Sequence, residues 1–281
     1  MDEKIKSVVI LFLLLTGLAF ATSPAAAATI EVNDETALKS AFLSAVSGDE
    51  IVLKNDITIT TGGSINLKAY WSTAENVITV KSDSDAERTI TGNADFKINL
   101  TNSNNNTKLV FENVVIDGNG KKGGIEIAGS HPLLNRPRNI KIDGAQIKNF
   151  NSSGFRIDFA DNIFLINVTA ENCTKTGTSV FDQGNGAGIS ISNSSAKIEN
   201  SLIKDNIIKG YGNGSGVYAR EATVEINGNT FIQNNTIISD GPNAGAGIYS
   251  IMGTLNISGN TTVLKNEMIR NSNEITLGGG V

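Results

Sequence analysis

Carboxylates in successive segments of the chain are the side chains whose types and spacing could support catalysis. They are Asp117, Asp143, Asp158, Asp161 and Asp182, of which the first two each lie in an Ile-Asp-Gly sequence. Hydrolysis of a glycosidic bond uses two carboxylates at a fixed separation. A lyase-like reaction could instead use Arg156 as base, with Asp158 and Asp161 holding Ca²⁺, because calcium prefers oxygen ligands. These residues define an enzyme hypothesis.

The local sequence around Arg156 favours a simpler interpretation. Residues 155–159, Phe-Arg-Ile-Asp-Phe, alternate apolar and charged side chains, which is typical of a strand with one solvated face. The single histidine, His131, lies in the turn-like sequence Ser130-His131-Pro132, a setting more typical of the surface than of a catalyst. We therefore predict no catalytic residue, no metal ligand and no cofactor-binding residue in this chain.

The composition excludes several functional classes. Asp and Glu together number 28 against 23 Lys and Arg, a net charge of −5, whereas nucleic-acid binding favours a surplus of basic residues. The single cysteine, Cys173, excludes a disulfide framework and is predicted to be a small buried apolar residue. The 281 residues include 34 Asn and 34 Ile, a pairing that indicates short strands joined by tight turns.

The first 28 residues have the features of a signal peptide. An apolar run over residues 7–21 is too short for a comfortable membrane span, and four alanines follow at 25–28. We predict cleavage near Ala28 and a secreted or cell-surface location. A retained membrane anchor is the alternative, because Asp2 and Glu3 make the amino terminus less basic than is usual.

Internal repeats are the strongest signal in the remaining chain. The phrase Gly-x-Gly followed by Ile or Val has its middle glycine at Gly188, Gly216, Gly247 and Gly280, so the repeats are 28, 31 and 33 residues apart. A second phrase, Asn followed by Ser or Thr and ending in another Asn, occupies 200–206, 229–235 and 260–266. Periods of this length indicate a solenoid, a propeller or an array.

The apolar residues inside each repeat alternate instead of following a helical period. Examples are Ile140 with Ile142, Ile189 with Ile191, and Val224 with Ile226. The units are too short for a four-stranded propeller blade, which leaves one coil of a parallel β-helix per repeat. Ile and Val would then stack inside, while Gly and Asn would form the left-handed corners. About nine coils are expected at this period.

One helix precedes the repeats. Asn33, Asp34 and Glu35 can cap a helix whose apolar face covers the open first coil, and Gly48 can end it. We therefore predict a signal peptide over 1–28 and a single all-β domain over 29–281, with a helical cap at about 34–47 and the clearest repeats at 186–281. Because Gly278-Gly279-Gly280 reads as the opening of another coil, we expect further coils after Val281.

The signal peptide, the capping helix and the Gly-x-Gly units together resemble right-handed parallel β-helix surface proteins. The glycine and asparagine phrases are similar to repeats in the chlamydial polymorphic outer-membrane proteins and in adhesin-like proteins of methanogenic archaea. The resemblance covers residues 30–281 and implies a pectate-lyase-like solenoid. It also implies a non-catalytic adhesin whose partners are host or microbial cell surfaces, glycans or surface proteins.

Two other functions remain open on the same fold. A polysaccharide lyase or hydrolase would use the side of the solenoid that carries Asp117, Asp143 and Asp158, although the Asn-Thr-Asp, Asp-Asp, Gly-His-Gly and Arg-Ile-Lys motifs of polygalacturonase-type enzymes do not occur. A purely structural envelope stalk would recognise nothing. Carboxylates clustered in a groove would favour the enzyme, and exposed tyrosines at 211, 218 and 249 would favour binding. Ten Asn-x-Ser/Thr sequences also give weak support for glycosylation.

Overall fold

The computed structural model describes residues 27–68, 73–101, 105–129, 136–179, 181, 183–239, 241, 243–270, 277–278 and 280. In chain order the elements are β1 (Thr29–Val32), α1 (Glu35–Ser44), β2 (Glu50–Leu53), β3 (Ile57–Ile59), β4 (Gly63–Asn66), β5 (Asn76–Ser82), β6 (Arg88–Gly92), β7 (Phe96–Thr101), β8 (Asn105–Glu112), β9 (Val114–Asp117), β10 (Gly123–Ala128), β11 (Arg138–Asp143), β12 (Gln146–Lys148), β13 (Phe155–Asp158), β14 (Asp161–Ile166), β15 (Thr169–Glu171), β16 (Thr174–Gly177), β17 (Ile189–Ser192), β18 (Ser195–Glu199), β19 (Leu202–Lys204), β20 (Ile207–Gly210), β21 (Val217–Arg220), β22 (Thr223–Asn227), β23 (Phe231–Gln233), β24 (Thr236–Ile238), β25 (Ile248–Ile251), β26 (Thr254–Ile257), β27 (Thr262–Leu264), β28 (Glu267–Ile269) and β29 (Leu277–Gly278).

The strands form four sheets along the axis of a solenoid. They are a nine-stranded sheet (β1-β2-β5-β8-β11-β14-β18-β22-β26), an eight-stranded sheet (β3-β6-β9-β12-β15-β19-β23-β27), a seven-stranded sheet (β4-β7-β10-β13-β17-β21-β25) and a five-stranded sheet (β16-β20-β24-β28-β29). Pairing between successive turns is parallel, and β28 with β29 is antiparallel. About seven turns contribute a strand to each of the three larger sheets, so the prediction of an all-β parallel solenoid is confirmed. The expectation of about nine coils is therefore wrong, because only one sheet of the described residues has nine strands, and its first strand precedes α1.

Aliphatic columns fill the interior because alternate residues of each strand point inward. In the nine-stranded sheet the residues paired in register are Ile78, Leu109, Ile142, Leu165, Ile198 and Ile226. All six are fully buried. Each turn therefore places its apolar side chain directly on that of the turn below, which joins the turns into one continuous core.

The repeated glycines occupy the same place in successive turns. The amide of the residue after each glycine donates to the carbonyl of the next glycine, from Ile189 to Gly216, Val217 to Gly247 and Ile248 to Gly280, at 2.9–3.0 Å. A Cβ at Gly216 would lie 2.4 Å from the carbonyl oxygen of Gly247. Glycine is therefore needed at this level because the turns approach one another too closely for a side chain.

Asparagines form the corners in the predicted way. Among the described residues, the non-glycine positions with a left-handed φ include Asn106, Asn113, Asn119, Asn139, Asn149, Asn162, Asn167, Asn172, Asn193, Asn200 and Asn234. Asn139 donates to Asn106, and Asn162 donates to Asn139, both from Nδ2 to Oδ1 at 2.6 Å. One amide ladder therefore crosses three turns at this corner.

A second asparagine ladder lies inside the solenoid, where the sequence had indicated only corners. Asn206, Asn235 and Asn266 end the three copies of the second repeated phrase, and all are buried. Asn206 Nδ2 donates to Asn235 Oδ1 and Asn235 Nδ2 donates to Asn266 Oδ1, both at 2.9 Å. Each amide also donates to a backbone carbonyl, so these buried polar groups are satisfied.

The amino-terminal helix covers the first turn, as predicted, but it ends three residues early. Its cap is Asp34, whose side chain accepts from Ala37 N at 2.8 Å, and its buried face includes Leu38 and Phe42. The expected end at about 47 is wrong because Asp49 accepts from Val46 N at 2.8 Å, which draws the chain out of the helix after Ser44. With ten residues, α1 has about half the length that spans a bilayer, and the described part of the chain holds no membrane-spanning helix.

Glu35 fastens this helix to the turn after β3. Its carboxylate accepts from Lys39 Nζ at 2.6 Å and from the amides of Thr60 and Thr61 at 2.8 and 3.2 Å. Burial opposes ionisation, but these hydrogen bonds outweigh it and hold the pKa of Glu35 far below its usual range.

The pH dependence of cap stability follows from this depressed pKa. The ionised Glu35 carboxylate contributes fully to the free energy of unfolding above about pH 4.3, which is the pKa of glutamate in an unfolded chain. This contribution is lost progressively as the pH falls below that value towards the pKa of the folded state. Glu35→Gln is expected to lower the free energy of unfolding by about 1.5–3 kcal/mol at pH 7 and to leave less pH dependence below pH 5. Denaturant titrations at pH 7 and pH 3 measure both effects, and an equal loss at both pH values would contradict the ionic role.

Candidate functional site

The aspartates selected from the sequence lie on different faces of the solenoid. Asp117 ends β9 in the eight-stranded sheet, Asp143 ends β11 in the nine-stranded sheet, and Asp158 ends β13 in the seven-stranded sheet. The expectation that these three share one side is therefore wrong. The two Ile-Asp-Gly sequences, at Asp117 and Asp143, end strands of two different sheets. The local sequence therefore does not fix which side of a turn a strand occupies.

Asp143 and Asp161 are each engaged by a neighbouring cation. Asp143 accepts from Lys108 at 2.9 Å and from Asn167 at 2.9 Å. Burial raises the pKa of Asp143, but these hydrogen bonds outweigh it and hold the pKa below the usual range. Asp161 pairs with Arg136 at 2.8 Å. Both carboxylates are thus parts of ion pairs on the nine-stranded sheet.

The proposed calcium arrangement is not assembled. Asp158 lies on the outer face of the seven-stranded sheet, whereas Asp161 begins the nine-stranded sheet after a corner formed by Phe159 and Ala160. Within the described ranges, no group of three or more His, Cys, Asp and Glu side chains could hold a metal ion. Asp182 and His131 lie outside the described residues.

Arg156 does lie in a cluster of charged groups on the outer face of the seven-stranded sheet. Its guanidinium contacts Glu126 of the turn below and Asp158 of its own strand, the latter at 3.1 Å. Lys97, one turn further, contacts the same Glu126 carboxylate. Glu126 is only 12% exposed, while the side chain of Arg156 is 53% exposed. We call Lys97, Glu126, Arg156 and Asp158 the charged cluster.

One oxygen of Asp158 is not used by this ion pair. Asp158 Oδ1 is buried and has no hydrogen-bond partner among the residues that the structure describes. Buried polar atoms without a partner are rare, and each calls for an explanation, such as a functional role or a bound solvent molecule. Neither Asp143 nor Asp161, the ion-paired aspartates of the nine-stranded sheet, has such an atom, so this oxygen distinguishes the charged cluster.

A step of small side chains separates the charged cluster from a pair of tyrosines. In register along the sheet, Arg156 is followed by Ser190, Tyr218 and Tyr249, and Asp158 is followed by Ser192 and Arg220. Because neighbouring strands are about 4.8 Å apart, the serines form a step about 10 Å wide between larger side chains. We call Ser190 and Ser192 the serine step. The side chain of Arg220 is 55% exposed beside it.

The tyrosines are less exposed than a binding platform requires. Tyr218 and Tyr249 stack with ring centroids 5.9 Å apart and an interplanar angle of 10°, and Tyr218 is only 7% exposed. Burial raises the pKa of Tyr218, and the neighbouring Arg220 only partly opposes this, so the phenol is neutral at pH 7. The ring of Tyr211 packs against Gly241. Tyr218, backed by Tyr249, therefore forms one wall of the serine step.

A cavity of about 290 Å³ opens at the other end of the charged cluster. Its lining residues are Gly63, Ser64, Asp95, Phe96, Lys97, Lys122 and Gly123. Lys97 belongs both to this cavity and to the charged cluster. The cavity, the cluster and the serine step therefore form one continuous surface along the seven-stranded sheet.

Lys97, Glu126 and Arg220 were not selected from the sequence. Each occupies an outward position of a strand with alternating apolar residues, as in Gly-Ile-Glu-Ile-Ala over β10. The alternation shows that these side chains face solvent. It does not show that Glu126 stands opposite Arg156, because that depends on the register between turns.

Cys173 is buried in the core, as predicted. Burial, together with the nearby carboxylates of Asp117 and Glu171, raises the pKa of its thiol to about 12. We expect no reaction of native protein with a thiol-specific disulfide reagent at pH 8 over one hour, and complete reaction after unfolding in guanidinium, because the thiolate is the reactive form. Rapid labelling of the folded protein would contradict this placement.

Comparison with known proteins identifies the family. Residues 76–268 match the right-handed beta helix region family, so the chain belongs to that family and the solenoid is right-handed. An alginate lyase from Paenibacillus sp. str. FPU-7 aligns over 83% of this chain and 99% of its own, with 13% identity and a TM-score of 0.37. The mannuronan C-5 epimerase AlgE6 A-module of Azotobacter vinelandii aligns over 89% and 92%, with 10% identity and a TM-score of 0.31.

Both structural neighbours are carbohydrate-active enzymes, but the likeness is distant. At these identities and TM-scores it carries no argument about the chemistry of this chain. No curated protein matches the chain significantly.

Proposed function

We propose that this chain is a non-catalytic, adhesin-like glycan-binding protein that binds along the outer face of the seven-stranded sheet. The observation that carries the proposal is the pair of half-exposed guanidinium groups, Arg156 and Arg220, on either side of the serine step. Guanidinium groups offer planar sets of donors to hydroxyl and carboxylate oxygens. No large side chain stands between them on the intervening strand, so a sugar ring would contact the partly exposed Ser190 and Ser192.

The same surface supplies acceptors and a rigid support. Glu126 and Asp158 hold Arg156 from two sides, which fixes the direction of its remaining donors. The strands beneath are stacked in register with buried aliphatic columns, so ligand binding does not require ordering of a loop. Preorganised polar groups on a flat, extended sheet suit a long polysaccharide better than a small molecule.

The location and partners complete the proposal. The predicted signal peptide supports a secreted or cell-surface protein, and the partners would be glycans or glycosylated proteins of a host or microbial cell. The acidic composition supports a partner other than nucleic acid. The adhesin-like assignment rests on the resemblance of the glycine and asparagine repeats.

A glycan array with residues 29–281 tests this function. We expect binding to at least one extended glycan, and at least about tenfold weaker binding by Arg156→Ala/Arg220→Ala, because charge-assisted hydrogen bonds contribute about 1.5–3 kcal/mol each. Arg138→Ala is the matched control, since Arg138 is an exposed cation on the nine-stranded sheet. Absence of binding to the array would favour the structural stalk, and equal losses in both variants would contradict the location.

A carbohydrate-active enzyme is the second candidate, and one observation favours it. Two carboxylates, Glu126 and Asp158, contact the same guanidinium, so they lie close together on an accessible face. Hydrolysis requires such a pair, one as acid and one as base or nucleophile. In this structure both are engaged by cations, which leaves neither free for proton transfer until Arg156 moves.

Degradation assays separate the two candidates. The protein is incubated with neutral and acidic polysaccharides, and release of reducing ends or of unsaturated sugar is followed. Non-catalytic binding predicts neither product. Release that is abolished by Glu126→Gln and Asp158→Asn, with binding retained, would replace the adhesin-like function by the enzyme.

A further inference from the structure

A separate polar cavity of about 360 Å³ lies at the corner that follows the eight-stranded sheet. Its lining residues are Asp117, Asn119, Gly120, Asn149, Asn151, Asn172 and Thr174. They come from three successive turns, at the ends of β9, β12 and β15. None of them belongs to the charged cluster or the serine step, so this cavity is independent of the proposed glycan-binding face.

The amide groups in this cavity are held in fixed directions. Asn149 Nδ2 donates to both carboxylate oxygens of Asp117 at 3.0 Å, and Asn172 Nδ2 donates to Asn149 Oδ1 at 2.7 Å. Asn151 Nδ2 donates to the carbonyl of Gly120 at 2.6 Å. Because the NH₂ group of Asn172 donates to Asn149 and that of Asn151 to Gly120, the side-chain carbonyl oxygens of Asn151 and Asn172 are left to accept hydrogen bonds from a ligand.

The charge of the cavity limits what it can bind. Among the described residues of the lining, Asp117 alone is charged, and Lys148 lies 3.9 Å from its carboxylate. An anionic sugar would be repelled by Asp117 at close range. A metal ion would meet a single carboxylate that is already hydrogen-bonded and paired with an ammonium group, whereas calcium sites collect 6–8 oxygen ligands.

We propose that this corner cavity binds a neutral saccharide through its hydroxyl groups. Sugar hydroxyls donate to the oxygens of Asp117, Asn151 and Asn172, and they exchange hydrogen bonds with the hydroxyl of Thr174. The volume lies at the lower end of the range of about 300–1,000 Å³ for small-molecule sites, which suits one or two sugar rings. The chain then carries two glycan sites of opposite preference, one with exposed guanidinium groups and one lined by acceptors.

The test uses four neutral disaccharides, maltose, cellobiose, lactose and mannobiose, with backbone amide NMR shifts of residues 119–120, 149–151 and 172–174 as the readout. At least one disaccharide is expected to cause saturable shifts there. Thr174→Val, which preserves shape and removes the hydroxyl, should weaken its binding about fivefold, the effect of roughly one hydrogen bond. Asn151→Leu, which fills the cavity, should abolish it.

Two controls make the outcome specific. Asn229→Ala removes an exposed corner asparagine that belongs to another ladder, and it should leave binding unchanged. Arg156→Ala should also leave it unchanged, so failure of the sheet-face proposal and failure of this one are distinguishable. If Asn151→Leu does not fold, Thr174→Val decides. Absence of saturable shifts with all four disaccharides, or equal binding by Thr174→Val and the native chain, would overturn the proposal.

Discussion

Asn235→Ala is expected to lower the free energy of unfolding by about 4 kcal/mol, because the substitution leaves several buried groups without partners at about 1–3 kcal/mol each. Asn235 Nδ2 donates to the carbonyl of Ile203 at 3.0 Å and to Asn266 Oδ1 at 2.9 Å. Its Oδ1 accepts from the amide and the side chain of Asn206, at 3.1 and 2.9 Å. Alanine can replace none of these bonds, and the site is buried away from water.

Unfolding in guanidinium chloride measures this loss of unfolding free energy, and amide hydrogen exchange at Asn206 gives a local readout. Asn260→Ala is the matched control, because Asn260 also belongs to an asparagine ladder but is exposed, and its side chain donates to Asn229 at 3.0 Å. Water can replace that bond, so the control should lose less than about 1 kcal/mol. Similar losses in the two variants would show that burial of the inner ladder adds nothing to stability.

Gly216→Ala is expected to cost about 3 kcal/mol, the upper part of the usual range for an overfilled interior. The new Cβ would lie 2.4 Å from the carbonyl oxygen of Gly247 and 3.0 Å from both Asn235 Nδ2 and Ile232 Cγ2. The carbonyl belongs to the hydrogen bond that joins this turn to the next, from Val217 N at 2.9 Å. The turns must therefore separate locally, which weakens the inner ladder at the same level.

Gly280→Ala provides a control from the same repeat. Gly280 takes the equivalent position two turns further on, but nothing lies within 4 Å of the Cβ that alanine would add. Its stability should change by less than about 0.5 kcal/mol, as for surface substitutions in general. A loss at Gly280 equal to that at Gly216 would mean that glycine is needed for backbone freedom, and not for the close approach of two turns.

The agreement between sequence and structure is best where the pattern is local. Alternation around Ile140 and Ile142 correctly predicted inward side chains, and the steps between Gly188, Gly216, Gly247 and Gly280 correctly predicted residues stacked in successive turns. The capping helix was also predicted correctly, but it ends at Ser44 and not just before Gly48, because the Asp49 side chain accepts a hydrogen bond from Val46 N. The strand alternation and the helix cap depend on residues within a few positions of one another, and the glycine repeat is visible as a period along the chain, so a single sequence records all three.

The candidate site was predicted poorly, because its residues are distant in the chain. Asp117, Asp143 and Asp158 each follow an isoleucine in the sequence, but they end strands that belong to three different sheets. Glu126 and Arg156 are 30 residues apart and stand opposite one another. Equally, the repeated phrase gave no sign that Asn206 and Asn235 turn inward while Asn200 stays at a corner.

The sequence by itself determined which side chains face inward, which residues form corners and that the units stack, because strand alternation and backbone preference act locally. The tertiary structure alone decided which residues become neighbours across turns. The distance along the chain between paired residues varies, from 33 between Asn105 and Arg138 to 23 between Arg138 and Asp161. Since the loops set this register, only the folded solenoid brings Lys97, Glu126 and Arg156 together on one face.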